Sequence, residues 1–343
     1  MIRYLYGLIA ILLSTMPGYT QSMSAGVSPS RYEKLKKGIN IDNWLVRNAN
    51  EILAGTQFTE ADLKLIKQAG FKHVRFPIRS PLMNELQPEK LNQRDIDSIK
   101  SVLNRMLNNG LAVVFNPVHP AREYSARLEV DSVLQTKFVR FWTVLAKEFS
   151  TYDPETVFIE PINEPFFKHP PTWFTFNERL LKAIRQSAPR HTLIISPVKG
   201  NIDVIDMTPL ADKNVVYSTH FYSPFAFTHQ GAPWLKNLPL GQHYPSDKWN
   251  ADYLKTDFFN PLMAWVNKQG VKVYMGEYGV LNTADYADKL AWLTDVGQIV
   301  TELNLAAALW SYNPGFSILE SPKAPTGQRN FDSKLLKTFQ LYE

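Results

Sequence analysis

The chain has 343 residues, of which 45% are hydrophobic and 13% aromatic, so it is long and apolar enough to bury a large core. Its net charge is +5, with no long block of one sign, and it contains no cysteine. This composition excludes a disordered tail, a basic stripe for nucleic acid, disulfides, thiolate metal sites and a cysteine nucleophile.

The N-terminal segment MIRYLYGLIAILLSTMPGYTQS has the layout of a secretory signal peptide. Arg3 precedes an apolar run over residues 5–13, and small and turn-forming residues follow. The run is too short to span a bilayer. We therefore predict a signal peptide over residues 1–20 and an exported mature chain over 21–343, periplasmic or secreted, with no membrane attachment after cleavage. The alternative is an uncleaved anchor or a lipid-facing helix.

Eight short runs typical of β-strands recur along the rest of the chain. They cover residues 38–44, 73–78, 112–118, 157–164, 192–198, 215–222, 271–279 and 306–312. Between them, apolar residues mostly fall at helical spacing. These helical patterns cover residues 59–70, 94–110, 133–149, 173–188, 258–268 and 286–303. The fifth and sixth strands are the exception, because residues 208–213 leave little room for a helix.

Strands that alternate with helices predict a parallel sheet. Eight such units, with strands apolar nearly throughout, fit a single α/β domain with the (β/α)8 or TIM-barrel fold. A doubly wound sheet is the alternative, but no Gly-rich phosphate-binding turn follows any of the strands. The longest connection, residues 223–257, is rich in Pro, Gly and aromatic residues and resembles an active-site loop.

Polar side chains gather at the predicted carboxyl ends of these strands, where the active sites of such barrels lie. The strand ends carry, in chain order, Arg75, His119, Asn163, Glu164, His220, Tyr222, Glu277 and Trp310. Burial of polar groups is costly unless they are paired or used in function. A ring of eight such residues therefore predicts a functional site.

Two carboxylates in this ring, Glu164 in NEP and Glu277 in GEYG, suggest glycoside hydrolysis. That reaction needs one protonated carboxyl group and one ionised carboxylate, and Arg75 is the natural cation to favour ionisation. Glu160 lies four residues before Glu164, which on a continuous strand places it roughly 13 Å deeper on the same side. We interpret Glu160 as a buried structural acid bonded to a neighbouring strand. The absence of HExxH and G-x-S-x-G motifs argues against metalloprotease or serine-esterase chemistry.

The ring also resembles glycoside hydrolase family 5, the cellulase family of retaining (β/α)8 glycosidases. Six motifs occur in the family's order, from about Lys37 to Asn313: the arginine of HVRFPI, the histidine of NPVHP, the NEP of PINEP, the H-x-Y of THFYSP, the glutamate of MGEYG and the tryptophan of LWSYN. The resemblance implies that Glu164 is the general acid/base and Glu277 the nucleophile. It implies no metal and no other cofactor.

The resemblance also assigns supporting roles around the two acids. Arg75 and Tyr222 would hydrogen-bond to Glu277, and His220 would contact Glu164. Three more residues would hold the sugar whose bond is broken: Asn163 at its 2-hydroxyl, His119 at another hydroxyl and Trp310 beneath the ring.

Tryptophans elsewhere in the chain are candidate platforms for sugar rings, because sugars present apolar C–H faces to aromatic side chains. Trp44 and Trp234 are the best placed of these, ahead of Trp173 and Trp249. Without the resemblance, Trp310 reads equally well as a core residue. A lone histidine such as His119 is more often a core residue, but its place at a strand end among the other polar residues favours a functional role.

The predicted substrate is a polysaccharide or oligosaccharide, with endo-β-1,4-glucan favoured as the family's commonest substrate. One alternative is specificity for mannan or β-1,3-glucan. Another is exo action or a preference for a branched or acidic bacterial exopolysaccharide, which the 223–257 loop and, slightly, a pI near 9.1 favour. A barrel that binds carbohydrate without cleaving it is the alternative outside the enzymes. We expect a monomer with no nucleic-acid partner.

Overall fold

The computed structural model describes residues 26–42, 45–48, 51–54, 58–79, 82–198, 203–236, 238–320 and 329–340. The strands in these ranges are β1 (Gly38–Asn40), β2 (Leu45–Asn48), β3 (Glu51–Ala54), β4 (His73–Pro77), β5 (Ala112–Asn116), β6 (Val157–Ile159), β7 (Leu193–Ile195), β8 (Val215–Phe221), β9 (Val273–Tyr278) and β10 (Ala306–Leu309). The predicted signal peptide lies outside the described residues.

The helices mostly alternate with the strands. They are α1 (Pro29–Leu35), α2 (Glu60–Gln68), α3 (Gln93–Asn108), α4 (Arg122–Val130), α5 (Ser132–Phe149), α6 (Pro170–Ser187), α7 (Phe225–Thr228), α8 (Ala251–Leu254), α9 (Asn260–Gln269), α10 (Tyr286–Glu302) and α11 (Ser333–Gln340). A 3₁₀ turn covers Asp203–Asp206, and a π turn over Lys255–Phe259 leads into α9. In the described part of the chain, no helix is long and apolar enough to cross a membrane.

Eight parallel strands close into a barrel, which confirms the predicted (β/α)8 fold and excludes the doubly wound sheet. Strands β4 to β10 pair in chain order, and β1 closes the ring by pairing with both β4 and β10. All eight predicted strands exist, and each is shorter than predicted. The antiparallel hairpin of β2 and β3 was not predicted.

The helices form where capping residues meet an apolar stripe. The side chain of Asn92 accepts from the N–H groups of Arg94 and Asp95 at the start of α3. The carboxylate of Asp131 does the same for Val133 and Leu134 at the start of α5. Each cap satisfies donors that a helix start leaves without an intrahelical partner. The apolar faces of both helices are buried against the barrel.

The amino end of the barrel is closed by an apolar cluster that we call the lower core. It consists of Leu35, Ala112, Val114, Phe158, Ile194, Val216, Tyr274, Ala306 and Ala308. Leu35 is fully buried and comes from α1, a helix that was not predicted. The lower core packs the inside of the barrel at this end, and Tyr274 in it hydrogen-bonds to the buried ring of His73.

The connections between strands agree with two further predictions. Between β7 and β8, the described residues contain only the 3₁₀ turn, as the short 208–213 segment indicated. Between β8 and β9, the chain makes a long excursion that includes the single-turn helices α7 and α8. This excursion places aromatic side chains beside the carboxyl end of the barrel.

Candidate active site

Arg75, on β4, is the centre of a buried polar network at the carboxyl end of the barrel. Its side chain has no solvent exposure, and its guanidinium makes five hydrogen bonds. It donates to both carboxylate oxygens of Glu160 (2.7 and 2.9 Å) and to Oε1 of Glu277 (2.7 Å). It also donates to the side-chain oxygens of Asn40 (3.0 Å) and Asn163 (2.6 Å). Since a guanidinium has five N–H groups, every donor of Arg75 is used.

The two acids that Arg75 contacts keep its guanidinium protonated. Burial alone would lower the pKa of Arg75, but the negative charges of Glu160 and Glu277 raise it. Arg75 therefore remains a cation at every working pH, and it lies directly against two carboxylates. A buried charge cluster of this kind is stable only because each member has a partner.

Glu160 is the buried structural acid that the sequence indicated. It is fully buried, and besides Arg75 it accepts from the hydroxyl of Ser196 at 3.2 Å, just after β7. The assumption of a continuous strand from Glu160 to Glu164 was wrong, because β6 ends at Ile159. The two glutamates therefore lie in the turn that follows the strand, and the expected 13 Å offset does not apply.

Glu277, on β9, is held by two donors, as predicted. Arg75 donates to its Oε1, and the hydroxyl of Tyr222 donates to its Oε2 at 2.9 Å. Burial and the negative charge of Glu277 raise the pKa of Tyr222 well above 10. Tyr222 therefore keeps its proton and acts as a fixed donor. Only 5% of Glu277 is exposed, so both hydrogen bonds act in a site with little water.

Glu164 lies opposite Glu277 and contacts His220, the second predicted pair. Its Oε1 is 2.6 Å from Nδ1 of His220, and that nitrogen is 3.6 Å from Oε2 of Glu277. One oxygen of each glutamate and a ring nitrogen of His220 all lie within 4.8 Å of one another. These three groups carry the donor types of a metal site, but the guanidinium already bound to Glu277 repels a second cation.

Glu164 and His220 hold a proton between them. Burial alone would raise the pKa of Glu164, but the hydrogen bond from His220 and its positive charge lower it. Burial alone would lower the pKa of His220, but Glu277 and Glu164 raise it above 6.5. These two directions favour the ion pair, in which the imidazole carries the proton and donates it in a hydrogen bond to the carboxylate.

The backbone at Glu164 is strained. Its φ is 39°, in the left-handed region that residues other than glycine rarely adopt. Such a conformation costs about 1–3 kcal/mol and persists only where the surroundings enforce it. The contact with His220 and the hydrogen bond from the N–H of Asn163 to the carbonyl of Val118 help to hold this turn.

Asn163, His119 and Trp310 lie around the two acids. Arg75 occupies the side-chain oxygen of Asn163, which leaves the Asn163 amide nitrogen as its donor for a ligand. Burial and the nearby charge of Arg79 lower the pKa of His119 to about 4, so its ring is neutral at neutral pH. Within the described residues, Nδ1 of His119 is buried and has no hydrogen-bond partner.

Trp310 follows β10 and is 8% exposed, at the base of the site. The guanidinium of Arg79 lies over its ring, 5.7 Å from the centroid, which is within cation–π range. Arg79 also lies 3.7 Å from the carboxylate of Asp42. Neither Arg79 nor Asp42 was predicted as a site residue, although both follow strands whose ends were expected to meet at this edge.

The tryptophans proposed as platforms have different positions. Trp44 lies outside the described residues. Trp234 is 60% exposed on the loop after β8, and its ring is 6.4 Å from the rings of both His229 and Phe316. Trp173 is fully buried and donates to the carbonyl of Ser196, so its interpretation as a platform was wrong.

His229 and Phe316 were missed by the sequence analysis. His229 stacks on Phe225, with 4.0 Å between ring centroids, and the charges of Glu164 and Glu277 act on it. Its place nine residues after His220, on the loop that follows β8, was the available signal. The aromatic group of Phe225, His229, Trp234 and Phe316 therefore lies beside the two acids.

Several curated proteins with similar sequences are named endoglucanases, and one is named a cellodextrinase. Endoglucanase 3 of Fibrobacter succinogenes is 26% identical over 85% of this chain, which spans about half of that relative's length (52%). Endoglucanase C of Acetivibrio thermocellus is also 26% identical, over 85% of this chain and 96% of its own length.

A solved structure agrees with these relatives. Endoglucanase Cel5A from the hyperthermophilic Thermotoga maritima is 30% identical, with a TM-score of 0.80 over 91% of this chain and 100% of its own. Other structures of Cel5A, in complex with cellobiose or mannotriose, match with a TM-score of 0.79. Residues 36–315 also match the sequence profile of the family Cellulase (glycosyl hydrolase family 5). Since this match covers most of the sequence, the chain belongs to glycosyl hydrolase family 5.

Proposed function

We propose that the protein is an exported endo-β-1,4-glucanase that cleaves its substrate with retention of anomeric configuration. The observation that supports this most is the close approach of Glu164 and Glu277, whose nearest oxygens lie within 4.8 Å. Retaining glycosidases hold their two carboxyl groups roughly 5–5.5 Å apart, whereas inverting enzymes need roughly 6.5–9.5 Å to admit a water. Export and a monomeric state stay predictions from the sequence.

In the first step, the carboxylate of Glu277 attacks the anomeric carbon, and the bond to the leaving oxygen breaks. Arg75 and Tyr222 hold the carboxylate of Glu277 in position, because both donate to its oxygens. The proton shared by Glu164 and His220 passes through Glu164 to the leaving oxygen. This step forms a covalent glycosyl-enzyme and releases one part of the chain.

In the second step, Glu164 is ionised and removes a proton from a water molecule that attacks the same carbon. The bond to Glu277 breaks, and the sugar leaves with its original configuration. The contact with His220 helps Glu164 to change roles, because the imidazole takes up or returns the proton. Asn163 donates to the 2-hydroxyl, Trp310 packs beneath the sugar, and the exposed Trp234 supports a sugar further along the chain.

The substrate class follows from the relatives. The two curated relatives are named endoglucanases, and structures of Cel5A contain cellobiose or mannotriose. We therefore place β-1,4-glucan first and mannan second. An exo-acting or exopolysaccharide-specific enzyme is the alternative within the hydrolases, and a non-catalytic binding barrel is the alternative outside them.

The test is the stereochemistry of the products. ¹H NMR during hydrolysis of cello-oligosaccharides should show the β-anomer first. With an activated aryl cellobioside and azide, Glu277→Ala should yield the α-glycosyl azide, because azide takes the place of the missing nucleophile. Glu164→Ala should yield the β-glycosyl azide, because azide replaces the water of the second step. An α-anomer from the wild type, or the opposite pair of azides, would overturn the mechanism.

Glu302→Ala provides a matched control for these variants, since Glu302 lies at the surface at the end of α10 and pairs with Lys255. It should retain the wild-type rate. If the wild type cleaves no polymer yet retains affinity for glucan or mannan, the non-catalytic alternative is correct.

A further inference from the structure

A cavity of about 320 Å³ opens beside the active site, between the segments that follow β4 and β5. Its wall is mostly apolar and includes Leu82, Met83, Val118 and Tyr124. Its volume is near the lower limit of the roughly 300–1,000 Å³ found for ligand pockets. The cavity therefore suits one small group rather than a length of polysaccharide. No residue of the proposed mechanism fills it.

The cavity and the site share two side chains. His119 and Arg79 both line it, and Arg79 also lies over the ring of Trp310. His119 is close enough to the acids for the charge of Glu277 to act on it. A group attached to a sugar bound above Trp310 therefore has a short path into the cavity.

The chemistry of the lining favours a neutral sugar ring. The apolar wall matches the C–H faces of a pyranose, and the ring of Tyr124 packs on Phe138 to form part of it. Arg79 supplies donors and Glu85 supplies acceptors, as sugar hydroxyls require. Neutral His119 can do either, and its buried Nδ1 has no hydrogen-bond partner within the described residues. Glu85 is held by two hydrogen bonds from Arg127 (3.1 and 2.7 Å).

We infer that this cavity binds a single-sugar branch of the substrate, so that the enzyme acts on a branched β-1,4-linked polysaccharide. The inference rests on the proposed function, because it needs a backbone bound across Glu164 and Glu277. The long excursion after β8 plays no part in it. The cavity lies on the opposite side of the barrel, above β4 and β5.

The test fills the cavity and compares substrates. Ala121 lines it, is exposed, and has an unstrained extended backbone, so Ala121→Phe adds a ring there without disturbing the core. Ala126→Phe is the matched control, an exposed alanine on α4 that does not line the cavity. The substrates are cello-oligosaccharides with and without xylosyl branches, and manno-oligosaccharides with and without galactosyl branches, each pair with one backbone length.

The wild type should cleave at least one branched series as well as, or better than, its unbranched partner. Ala121→Phe should lower the ratio of branched to unbranched kcat/KM at least tenfold, and Ala126→Phe should leave it unchanged. The inference fails if the wild type cleaves only unbranched chains, or if both variants keep the wild-type ratio. If the wild type cleaves neither backbone, the proposed function fails as well, so the two failures are distinguishable.

Discussion

The two ends of the barrel are built on the same strands but bury side chains of different kinds. At the amino end, Leu35, Val114 and Phe158 belong to a lower core with no charged side chain. At the carboxyl end, Arg75 and Glu160 are buried as fully as any leucine, yet they are charged. Burial lowers the free energy at the first end through apolar packing and raises it at the second through lost hydration.

The difference explains what each end tolerates. An apolar core loses a few contacts when one side chain is shortened. A buried charge network loses its balance when one member is removed, because the remaining charges stay buried without partners. Removing a member of the charge network should therefore cost both stability and activity, whereas shortening a core side chain should cost stability alone.

The strongest test of this contrast is Arg75→Met. It leaves Glu160 buried and without its main partner, so we expect a loss of about 3–5 kcal/mol in the free energy of unfolding and loss of activity. Urea denaturation followed by circular dichroism measures the first. Lys100→Met removes a partly exposed pair with Glu148 and should cost roughly 0–1 kcal/mol. Equal losses for the two variants would contradict the contrast.

At the amino end, Leu35→Ala should reduce stability without changing the chemistry. Removing a fully buried leucine costs about 2–5 kcal/mol. The kcat of the folded enzyme should equal that of the wild type, because Leu35 comes from α1, before the first barrel strand, whereas the site residues lie towards the carboxyl ends of the strands. Leu86→Ala, at a residue that is 89% exposed, should change stability by less than about 0.5 kcal/mol. A lower kcat for Leu35→Ala would show that the two ends are coupled.

The mildest test concerns the proton shared at the carboxyl end. The Glu164–His220 pair loses its last proton with an apparent pKa at least as high as that of either group alone. The pKa of His220 is raised above 6.5, so the wild-type basic limb should lie above that pH. In His220→Ala only Glu164 holds the proton, and the basic limb of kcat/KM for cello-oligosaccharides should move to lower pH.

His243→Ala is the control for this shift, since the exposed His243 pairs with Asp288 far along the loop. It should leave the pH profile unchanged. A basic limb that stays in place or rises in His220→Ala would show that the pair does not supply the proton.

The alternation of strands and helices was enough to predict the barrel, because periodicity depends only on residues close in sequence. Helix α1 and the β2–β3 hairpin were missed, because their sequences carry no strong apolar period. The site ring was predicted because parallel strands bring their carboxyl ends to one edge. Within that ring, Arg75, Tyr222 and His220 contact the acids as expected.

Details that depend on three-dimensional position were not predictable in the same way. The end of β6 at Ile159 was missed although Pro161, which cannot donate to a strand ladder, was a signal for it. The left-handed backbone of Glu164 had no sequence signal. Trp173 lies on the buried face of α6, whereas Trp234 lies on an exposed loop, and the residue type alone does not distinguish the two. Position at a strand end was therefore enough to identify the two acids, but it did not identify which aromatic residues lie beside them.

The five hydrogen bonds of Arg75 act as a cross-brace inside the barrel. They tie β4 to Asn40 on β1, to the turn after β6 and to Glu277 on β9. The position of Glu277 is thus set by the cross-section of the barrel and not by any surface loop. Loops around the rim can therefore change in length or sequence and so alter which polymer binds. The hydrogen bonds of Arg75 keep the reacting groups in the same relative positions.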